Sequence, residues 1–229
     1  MVKRNQRKIF RYAGKEYERL SEHIGRLPCV MISPYDTNLI DGGSEERRKY
    51  IDVVISQFDK MYLDDLINYN KVLAQRNSYL KQAAEQGNFD RSMLEIWDDQ
   101  LVQYGLMIFE QRSSFINDFI SVFNSFYQEV STGNENVSIT YESQLKNSSF
   151  YELLEESLDK DRVLKYSTCG IHKDDLVLLL EDRPIKKYGS QGQQKTLVVA
   201  LKMAQLEFIY RIKGFKPLLL LDNIFNKVD

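Results

Sequence analysis

Apolar residues recur at helical spacing through two long stretches in the middle of the chain. The first stretch starts near Ser44, and the second starts after Gly87 and Asn88. Residues three and four apart share one face of an α-helix, so this pattern predicts two long helices. We expect them to pack as an antiparallel hairpin, because such a stripe is more typical of packing than of a cofactor site. The apolar positions are Val54, Phe58, Met61, Leu66, Tyr69, Leu73, Leu80, Leu94, Trp97, Leu101, Tyr104, Ile108, Phe115, Phe119, Val122 and Phe126.

Shorter apolar runs on either side of the two helices predict strands. The last two of these runs are expected to pair across an intervening turn. A further helix is predicted over Phe150–Leu164, and Ser44 is the expected N-cap of the first long helix, with Glu45 and Glu46 in its first turn. The predicted strands are residues 27–32, 137–141, 175–180 and 185–188.

The sequence Tyr188-Gly-Ser-Gln-Gly-Gln-Gln-Lys-Thr196 predicts a tight loop that leads into another helix. Two glycines bracket Ser190, and apolar residues then follow at helical spacing. The helix is expected to run to about Lys213, with Gly214 as its C-terminal cap. Four consecutive leucines, residues 218–221, come next and are typical of a parallel strand that is buried on both faces.

The start of the helix after this loop is a candidate anion-binding site. Backbone N–H groups at a helix N-terminus have no partner and carry partial positive charge. Gly192 lets a phosphate approach the backbone, and Ser190, Gln191 and Gln193 can add hydrogen bonds. An ordinary turn that caps a core helix explains the same residues.

Asp222 directly follows the four leucines, at the carboxyl end of the predicted strand. Open α/β sheets bind their ligands at this edge. A carboxylate there can hold Mg²⁺ beside nucleotide phosphates. A solvated aspartate that ends a core strand is the alternative.

Composition indicates a globular protein. The chain has 229 residues, 43% of them hydrophobic, and a formal charge of -2, which argues against a uniformly basic nucleic-acid binder. Its two cysteines, Cys29 and Cys169, show no metal-type spacing and predict a reduced, cytoplasmic setting. No apolar run is long enough to cross a membrane.

Basic residues are concentrated at the start of the chain, where a β-hairpin is predicted. Positive side chains on one face of this hairpin can neutralise DNA phosphates without reading sequence. An edge strand whose charges discourage aggregation is the alternative. The candidate DNA-binding residues are Lys3, Arg4, Arg7, Lys8 and Arg11.

Seven motifs, taken in order, resemble those of the RecF family of bacterial recombinational-repair ATPases, which are related to SMC proteins. The resemblance covers nearly the whole chain. The motifs are Gly25-Arg-Leu-Pro, Ser33-Pro-Tyr-Asp36, Gly42-Gly-Ser-Glu-Glu-Arg-Arg48, Tyr69-Asn-Lys-Val-Leu-Ala-Gln-Arg-Asn77, Gly170-Ile-His-Lys-Asp-Asp-Leu176, the loop at Tyr188, and Leu218-Leu-Leu-Leu-Asp-Asn-Ile-Phe-Asn-Lys-Val-Asp229.

The resemblance implies an α/β fold, as part of an ABC/SMC-type P-loop ATPase head with an inserted helical lobe. Residues 1–43 are then part of the head, residues 44–165 mainly the helical lobe, and residues 166–229 the head with its signature loop and Walker B strand. Ser33 and Asp36 fall in a loop close to the nucleotide, although a simple turn between strand and helix accounts for them equally well. The stretch His172-Lys173-Asp174-Asp175 can contribute charge near a phosphate or DNA backbone.

The resemblance also implies a mechanism in which two heads sandwich ATP. The signature loop, Ser190 to Gln193, then contacts the γ-phosphate bound to the other subunit. Asp222 binds Mg²⁺, and Asp222 and Asn223 occupy the catalytic positions. The implied partners are DNA at junctions between single and double strands, a second RecF-like subunit and recombination-mediator proteins.

Two departures from the family pattern weaken the expectation of activity. The chain has no G-x-x-x-x-G-K-[ST] phosphate loop, so it resembles an internal fragment that does not hydrolyse ATP alone. Asn223 and Asn226 stand where acidic residues are expected, and asparagine cannot accept a proton from water at neutral pH. The alternative function is a non-enzymatic module, derived from an ATPase head, that binds DNA or protein.

Overall fold

A computed structural model describes residues 10–12, 14–131 and 135–222 of the chain. Within these ranges the strands are β1 (Arg11–Tyr12), β2 (Lys15–Glu16), β3 (Cys29–Ile32), β4 (Val137–Glu142), β5 (Asp175–Leu180), β6 (Arg183–Pro184) and β7 (Leu218–Leu221). The helices are α1 (Asn38–Asp41), α2 (Ser44–Ser56), α3 (Lys60–Gln86), α4 (Arg91–Val130), α5 (Phe150–Leu164), α6 (Ile185–Tyr188) and α7 (Gln191–Lys213). Short 3₁₀ turns lie at Leu20–Glu22, Pro34–Thr37, Gln144–Lys146 and Ile171–Lys173.

The two long helices form the predicted antiparallel hairpin. Gly87 ends α3 in the left-handed conformation, and the Asp90 side chain caps the start of α4. Tyr79 of α3 contacts Trp97 of α4 near the connection, with ring centroids 5.3 Å apart. Farther from it, Arg76 of α3 pairs with an aspartate of α4. From the first contact to the second, the residue number falls along α3 and rises along α4. The two helices are therefore antiparallel, as predicted.

The first helical stretch differs from its prediction in three respects. It is divided into α2 and α3, because Asp59 leaves the helical conformation and caps the start of α3. Met61 was predicted to be buried but is 73% exposed, since it lies in the first turn after this break. Ser44 is the first residue of α2 rather than its cap, a position that Gly43 takes, while Glu45 and Glu46 lie in the first turn as predicted.

Helix α4 connects the helical hairpin to the rest of the core, since it packs against α3 and also against α7. Phe208 of α7 places its ring edge against Phe115 of α4, with centroids 5.1 Å apart, and also contacts Phe119 and Phe58. The buried residues of the helices and of the β4–β5 sheet form one continuous cluster. The helical hairpin and α7 therefore share a single apolar core.

Strands β4, β5 and β6 form an antiparallel sheet whose order follows the sequence. Residues 185–188 were predicted as a strand but form α6. Glu181 and Asp182 make a tight turn with positive φ, so only Arg183–Pro184 pairs with β5. Pro184 has no N–H to continue the ladder, and its fixed φ suits the start of a helix.

Strand β7 pairs in parallel with β3, as the prediction of a parallel strand requires. Its four leucines, however, are 39% to 57% exposed, so the prediction of burial on both faces is wrong for this chain. Among the described residues, β3 is the only strand that pairs with β7. Strand β3 packs against α7 and buries Val30 and Ile32, whereas the leucines of β7 face solvent.

Arg112, in the middle of α4, is a buried arginine that joins three parts of the chain. Its guanidinium group is 1% exposed and contacts Asp52 of α2 at 2.8 Å and Asp174, just before β5, at 3.1 Å. It also donates to the carbonyl oxygen of Ile171 at 2.9 Å. The charge is thus buried only because each donor meets an acceptor.

We expect Arg112→Met to destabilise the chain by about 3–5 kcal/mol, because it leaves the carboxylates of Asp52 and Asp174 without their buried cation. Arg91→Met is the matched control. Arg91 is an exposed arginine of the same helix, and losing its pairs with Glu95 and Glu155 is expected to cost about 1 kcal/mol or less. Urea unfolding followed by circular dichroism measures both changes. Equal losses of stability in the two variants would contradict the role of Arg112 as a buried link between α2, α4 and the start of β5.

Candidate functional site

The predicted loop at residues 188–196 forms a capped helix start. Ser190 is the N-cap of α7, and its Oγ accepts a hydrogen bond from the backbone N–H of Gln193 at 3.2 Å. The side-chain Oε1 of Gln193 accepts from the backbone N–H of Ser190 at 2.6 Å. This reciprocal pair is a capping box. The helix ends at Lys213 with Gly214 in the left-handed conformation, as predicted.

The capped turn leaves several hydrogen-bond donors facing solvent. Ser190, Gln191 and Gly192 are exposed. Within the part of the chain that the structure describes, the N–H groups of Gln191 and Gly192 have no acceptor. Because Ser190 Oγ already accepts from Gln193, its hydroxyl proton remains available for a ligand. The arrangement can therefore bind an anion through two backbone donors and one hydroxyl.

The two glycines of the turn have different surroundings. A Cβ on Gly189 would lie 2.6 Å from Cγ1 and 2.8 Å from the carbonyl oxygen of Ile185, so packing inside the chain requires glycine there. A Cβ on Gly192 would make only an ordinary contact, 3.8 Å from Ser190 Oγ. No packing within the described residues therefore accounts for Gly192. Its lack of a side chain keeps the free N–H groups accessible.

Gln194 also shapes the turn, and sequence reasoning did not identify it. Its side-chain Nε2 donates to the carbonyl oxygens of Ile185 and Gly189, each at 3.2 Å. These contacts tie the start of α7 to α6 and fix the path of the chain through Gly189. The available sequence signal was a second glutamine one residue after the capping residue Gln193.

Cationic side chains lie on the segment that leads into the turn. Lys186, Lys187 and Arg183 are exposed on the segment that precedes Gly189. The guanidinium group of Arg183 and the ammonium group of Lys187 each lie 5.4 Å from the centre of the Tyr188 ring. These cations raise the local electrostatic potential and favour an anionic ligand.

Asp222 lies at a second edge of the molecule, where β3 and β7 end. Its backbone N–H donates to the carbonyl oxygen of Ile32 at 2.9 Å, and the residue is exposed. Ser33 follows Ile32 in the chain and donates its backbone N–H to the Asp36 carboxylate at 2.7 Å. The same carboxylate pairs with Lys202 of α7 at 2.8 Å. The structure thus places Ser33, Asp36 and Asp222 on neighbouring segments, and Asp36 is engaged by protein groups.

The oxygens of Asp222 suit a magnesium ion that takes its other ligands from phosphate and water. No group of three or more potential metal-binding side chains is found among the described residues. A metal held by this chain would therefore rely on few protein ligands. Mg²⁺ in nucleotide sites is often bound in this way.

The Ser190 turn and the Asp222 edge are separated along α7. Lys202 contacts the turn that follows β3, next to Asp222. The twelve residue steps from Ser190 to Lys202 span about 18 Å at the rise of an α-helix. The structure therefore does not bring the two predicted halves of the site together around one small ligand.

Within the predicted charged stretch His172-Lys173-Asp174-Asp175, His172 itself does not contribute charge. Its Nδ1 lies 2.8 Å from the hydroxyl oxygen of Tyr69, and its Nε2 lies 3.1 Å from the carbonyl oxygen of Ser167. Burial lowers the pKa of His172 to about 4, so the ring is neutral at physiological pH. His172 belongs to the packing beneath the helical hairpin.

The basic hairpin is described only in part. Strands β1 and β2 pair in antiparallel register, which confirms the hairpin, and Arg11 is exposed on β1. Arg26 lies over the rings of Tyr12 and Tyr17, at 5.0 and 5.4 Å from their centres. The other predicted residues that lie outside the described ranges are Lys3, Arg4, Arg7, Lys8, Asn223 and Asn226.

Comparison with known proteins confirms the resemblance. Over 228 residues, the chain is 51% identical to the DNA replication and repair protein RecF of Bacteroides fragilis (strain YCH46), and it covers 61% of that protein. It is 48% identical to RecF of Flavobacterium johnsoniae and covers 64% of it. The whole chain is matched in both cases. No protein-family model matches the chain.

A solved structure of the recombination mediator protein RecF-ATPrS in the RecFOR pathway matches the whole chain with a TM-score of 0.91 and 33% identity. The chain covers 63% of that structure. This match confirms the α/β fold, predicted as part of an ABC/SMC-type ATPase head with an inserted helical lobe. The chain spans about three fifths of the length of its relatives. In the ranges that the structure describes, no helix is long and apolar enough to cross a membrane.

The surroundings of the two glycines predict opposite effects on stability. Gly189→Ala is expected to destabilise the chain by about 1–3 kcal/mol, since the new methyl group overlaps Ile185. Gly192→Ala, matched in chemistry and only three residues away, is expected to be neutral or to stabilise by up to about 0.5–1 kcal/mol, because alanine favours a helix over glycine. Urea unfolding of the two variants tests this. A loss of stability in Gly192→Ala would show that packing requires this glycine.

Proposed function

Because the chain belongs to the RecF family, we propose that it forms part of a DNA replication and repair protein in which ATP joins two subunits. In this proposal the chain contributes the signature half of the ATP site. The observation that supports it best is the exposed start of α7, where a capped serine and two free N–H groups face solvent beside cationic side chains.

The residues of the turn have distinct roles in the proposed site. ATP supplies a triphosphate whose negative charge attracts helix-terminal donors. The Ser190 hydroxyl and the N–H groups of Gln191 and Gly192 bind the γ-phosphate. Gln193 holds the serine in place through the capping box. These donors are oriented before ATP arrives, so little conformational entropy is lost on binding.

A second subunit is needed because the Ser190 turn lies about 18 Å along α7 from the residue that contacts the Asp222 edge. The turn of one subunit then meets the phosphates held by the other subunit. The G-x-x-x-x-G-K-[ST] loop, which this sequence does not contain, is supplied by the rest of a RecF protein. ATP acts as a bridge between the two subunits.

Asp222 is proposed to hold Mg²⁺ beside the phosphates, directly or through water. Its exposure and its place at the carboxyl end of β7 support this role. Asn223 is proposed to orient the attacking water by hydrogen bonding. Since an amide cannot take the proton from that water, hydrolysis by a protein with this sequence is expected to be slow.

We further propose that the head comprises residues 1–43 and 166–229, with residues 44–165 as mainly a helical lobe, in a cytoplasmic protein. DNA at junctions of single and double strands is the proposed target, and recombination-mediator proteins are the proposed partners. Two observations support this part of the proposal. The relatives reported above are DNA replication and repair proteins, and the described part of the N-terminal hairpin exposes Arg11.

Ser190→Arg is expected to abolish ATP-dependent dimerisation, because the substitution removes the hydroxyl and the larger arginine side chain fills the anion site. The test uses RecF of Bacteroides fragilis in which this chain replaces the matching segment, with a slowly hydrolysed ATP analogue and light scattering. Ser149→Arg is the matched control, since Ser149 caps α5 through the same kind of capping box. A dimer that persists in Ser190→Arg would count against the proposed function.

Asn223→Asp in the same chimaera is expected to increase ATP turnover. Aspartate adds a proton acceptor for the attacking water, and general base catalysis contributes roughly 10²- to 10⁴-fold in rate. Steady-state phosphate release measures the change, and an unchanged dissociation constant for the ATP analogue would show that binding is not responsible. Unchanged turnover would remove Asn223 from the proposed catalytic position.

A further inference from the structure

The side chain of Gln193 forms hydrogen bonds in two directions. Its Oε1 accepts from the backbone N–H of Ser190, while its Nε2 donates to Oε1 of Glu135 at 2.7 Å. An ionised carboxylate can only accept hydrogen bonds. The reversed orientation of the amide would place its oxygen against the carboxylate and its NH₂ group against an N–H donor. Glu135 therefore selects the orientation of Gln193 that completes the capping box.

Glu135 is itself held by two neighbouring elements. Its other carboxylate oxygen, Oε2, accepts from the hydroxyl of Tyr127, in the last turn of α4, at 2.9 Å. The next residue, Asn136, exchanges two hydrogen bonds with Glu181, at 2.7 and 2.9 Å. Glu181 lies in the turn between β5 and β6, which leads to the Ser190 turn. The position of Glu135 is thus fixed on both sides.

The chemistry of Tyr127 suits this role. Burial and the neighbouring Glu135 carboxylate raise the pKa of Tyr127, so its hydroxyl remains a donor at physiological pH. Tyr127 is 1% exposed and belongs to the core cluster that contains α4. Its hydroxyl consequently occupies a defined place from which to hold Glu135.

We propose that Glu135 is a positioning residue for the Ser190 turn. Through Gln193 it fixes the capping box, and through Tyr127 it links this box to the end of the long helix α4. The consequence for ATP rests on the proposed function above, because Glu135 acts there only by keeping the Ser190 hydroxyl and the free N–H groups oriented. Its negative charge alone would oppose binding of a phosphate, which makes the two effects separable.

The first experiment measures solvent exchange of the Ser190 backbone N–H by NMR in the 229-residue chain. Glu135→Ala is expected to speed this exchange roughly three- to tenfold, which is the effect of losing one hydrogen bond. Glu135→Gln is expected to keep most of the protection, since its amide oxygen still accepts from Gln193. Glu129→Ala is the matched control, because Glu129 is exposed near the end of α4 and its change removes the same charge.

The second experiment measures dimerisation of the chimaera with the ATP analogue. Glu135→Ala is expected to weaken the dimer about three- to tenfold, whereas Glu135→Gln, which keeps the hydrogen bond and loses the charge, is expected to dimerise at least as tightly as the unsubstituted chimaera. If charge alone mattered, both variants would strengthen the dimer equally, and the proposal would be overturned. Unchanged exchange at Ser190 in Glu135→Ala would overturn it as well.

The two experiments also separate this inference from the proposed function. If the unsubstituted chimaera does not dimerise with the ATP analogue, the proposed function fails. The exchange rates of Ser190 then decide by themselves whether Glu135 positions the turn. If the chimaera dimerises but exchange at Ser190 is the same in all variants, the proposed function stands and the role of Glu135 is rejected.

Discussion

Burial of the Arg112 guanidinium group is the constraint on which the arrangement of this chain depends. Burying a charge is costly unless it is paired and hydrogen-bonded, and the acceptors for Arg112 come from separate parts of the chain. Asp52 approaches from α2 and Asp174 from the segment before β5. These requirements fix the start of β5 against α4. The path from β5 through β6 and α6 to the start of α7 then follows.

The Ser190 turn lies at the end of this path and is held by side-chain hydrogen bonds of its own residues as well as by Glu135. Gln193 closes the capping box, and Gln194 binds two carbonyl groups of the preceding segment. Each glutamine uses its side chain to satisfy backbone groups that surround the turn. The donors that remain unsatisfied are those that face solvent. A site prepared in this way needs little rearrangement when a ligand binds.

Local sequence signals predicted much of the fold. Helical periodicity identified the two long helices and α7, because an amphipathic stripe is encoded by neighbouring residues. Some errors were local, such as the helix break at Asp59, and others arose where a distant partner decides the outcome. The leucines of β7 are exposed because, among the described residues, only β3 pairs with that strand. Histidine is a residue type that can carry charge, but burial beside Tyr69 keeps His172 neutral.

The sequence by itself determined the family resemblance, the pairing of the two long helices and the tight turn that leads into α7, since each rests on patterns of residues close together in the chain. The tertiary structure alone decided which donors of that turn remain free, and that Gly189 is required by packing whereas Gly192 is not. It also brought Glu135 to Gln193, 58 residues away. Contacts of this kind depend on how the whole core packs, and no local pattern of residue types specifies that packing.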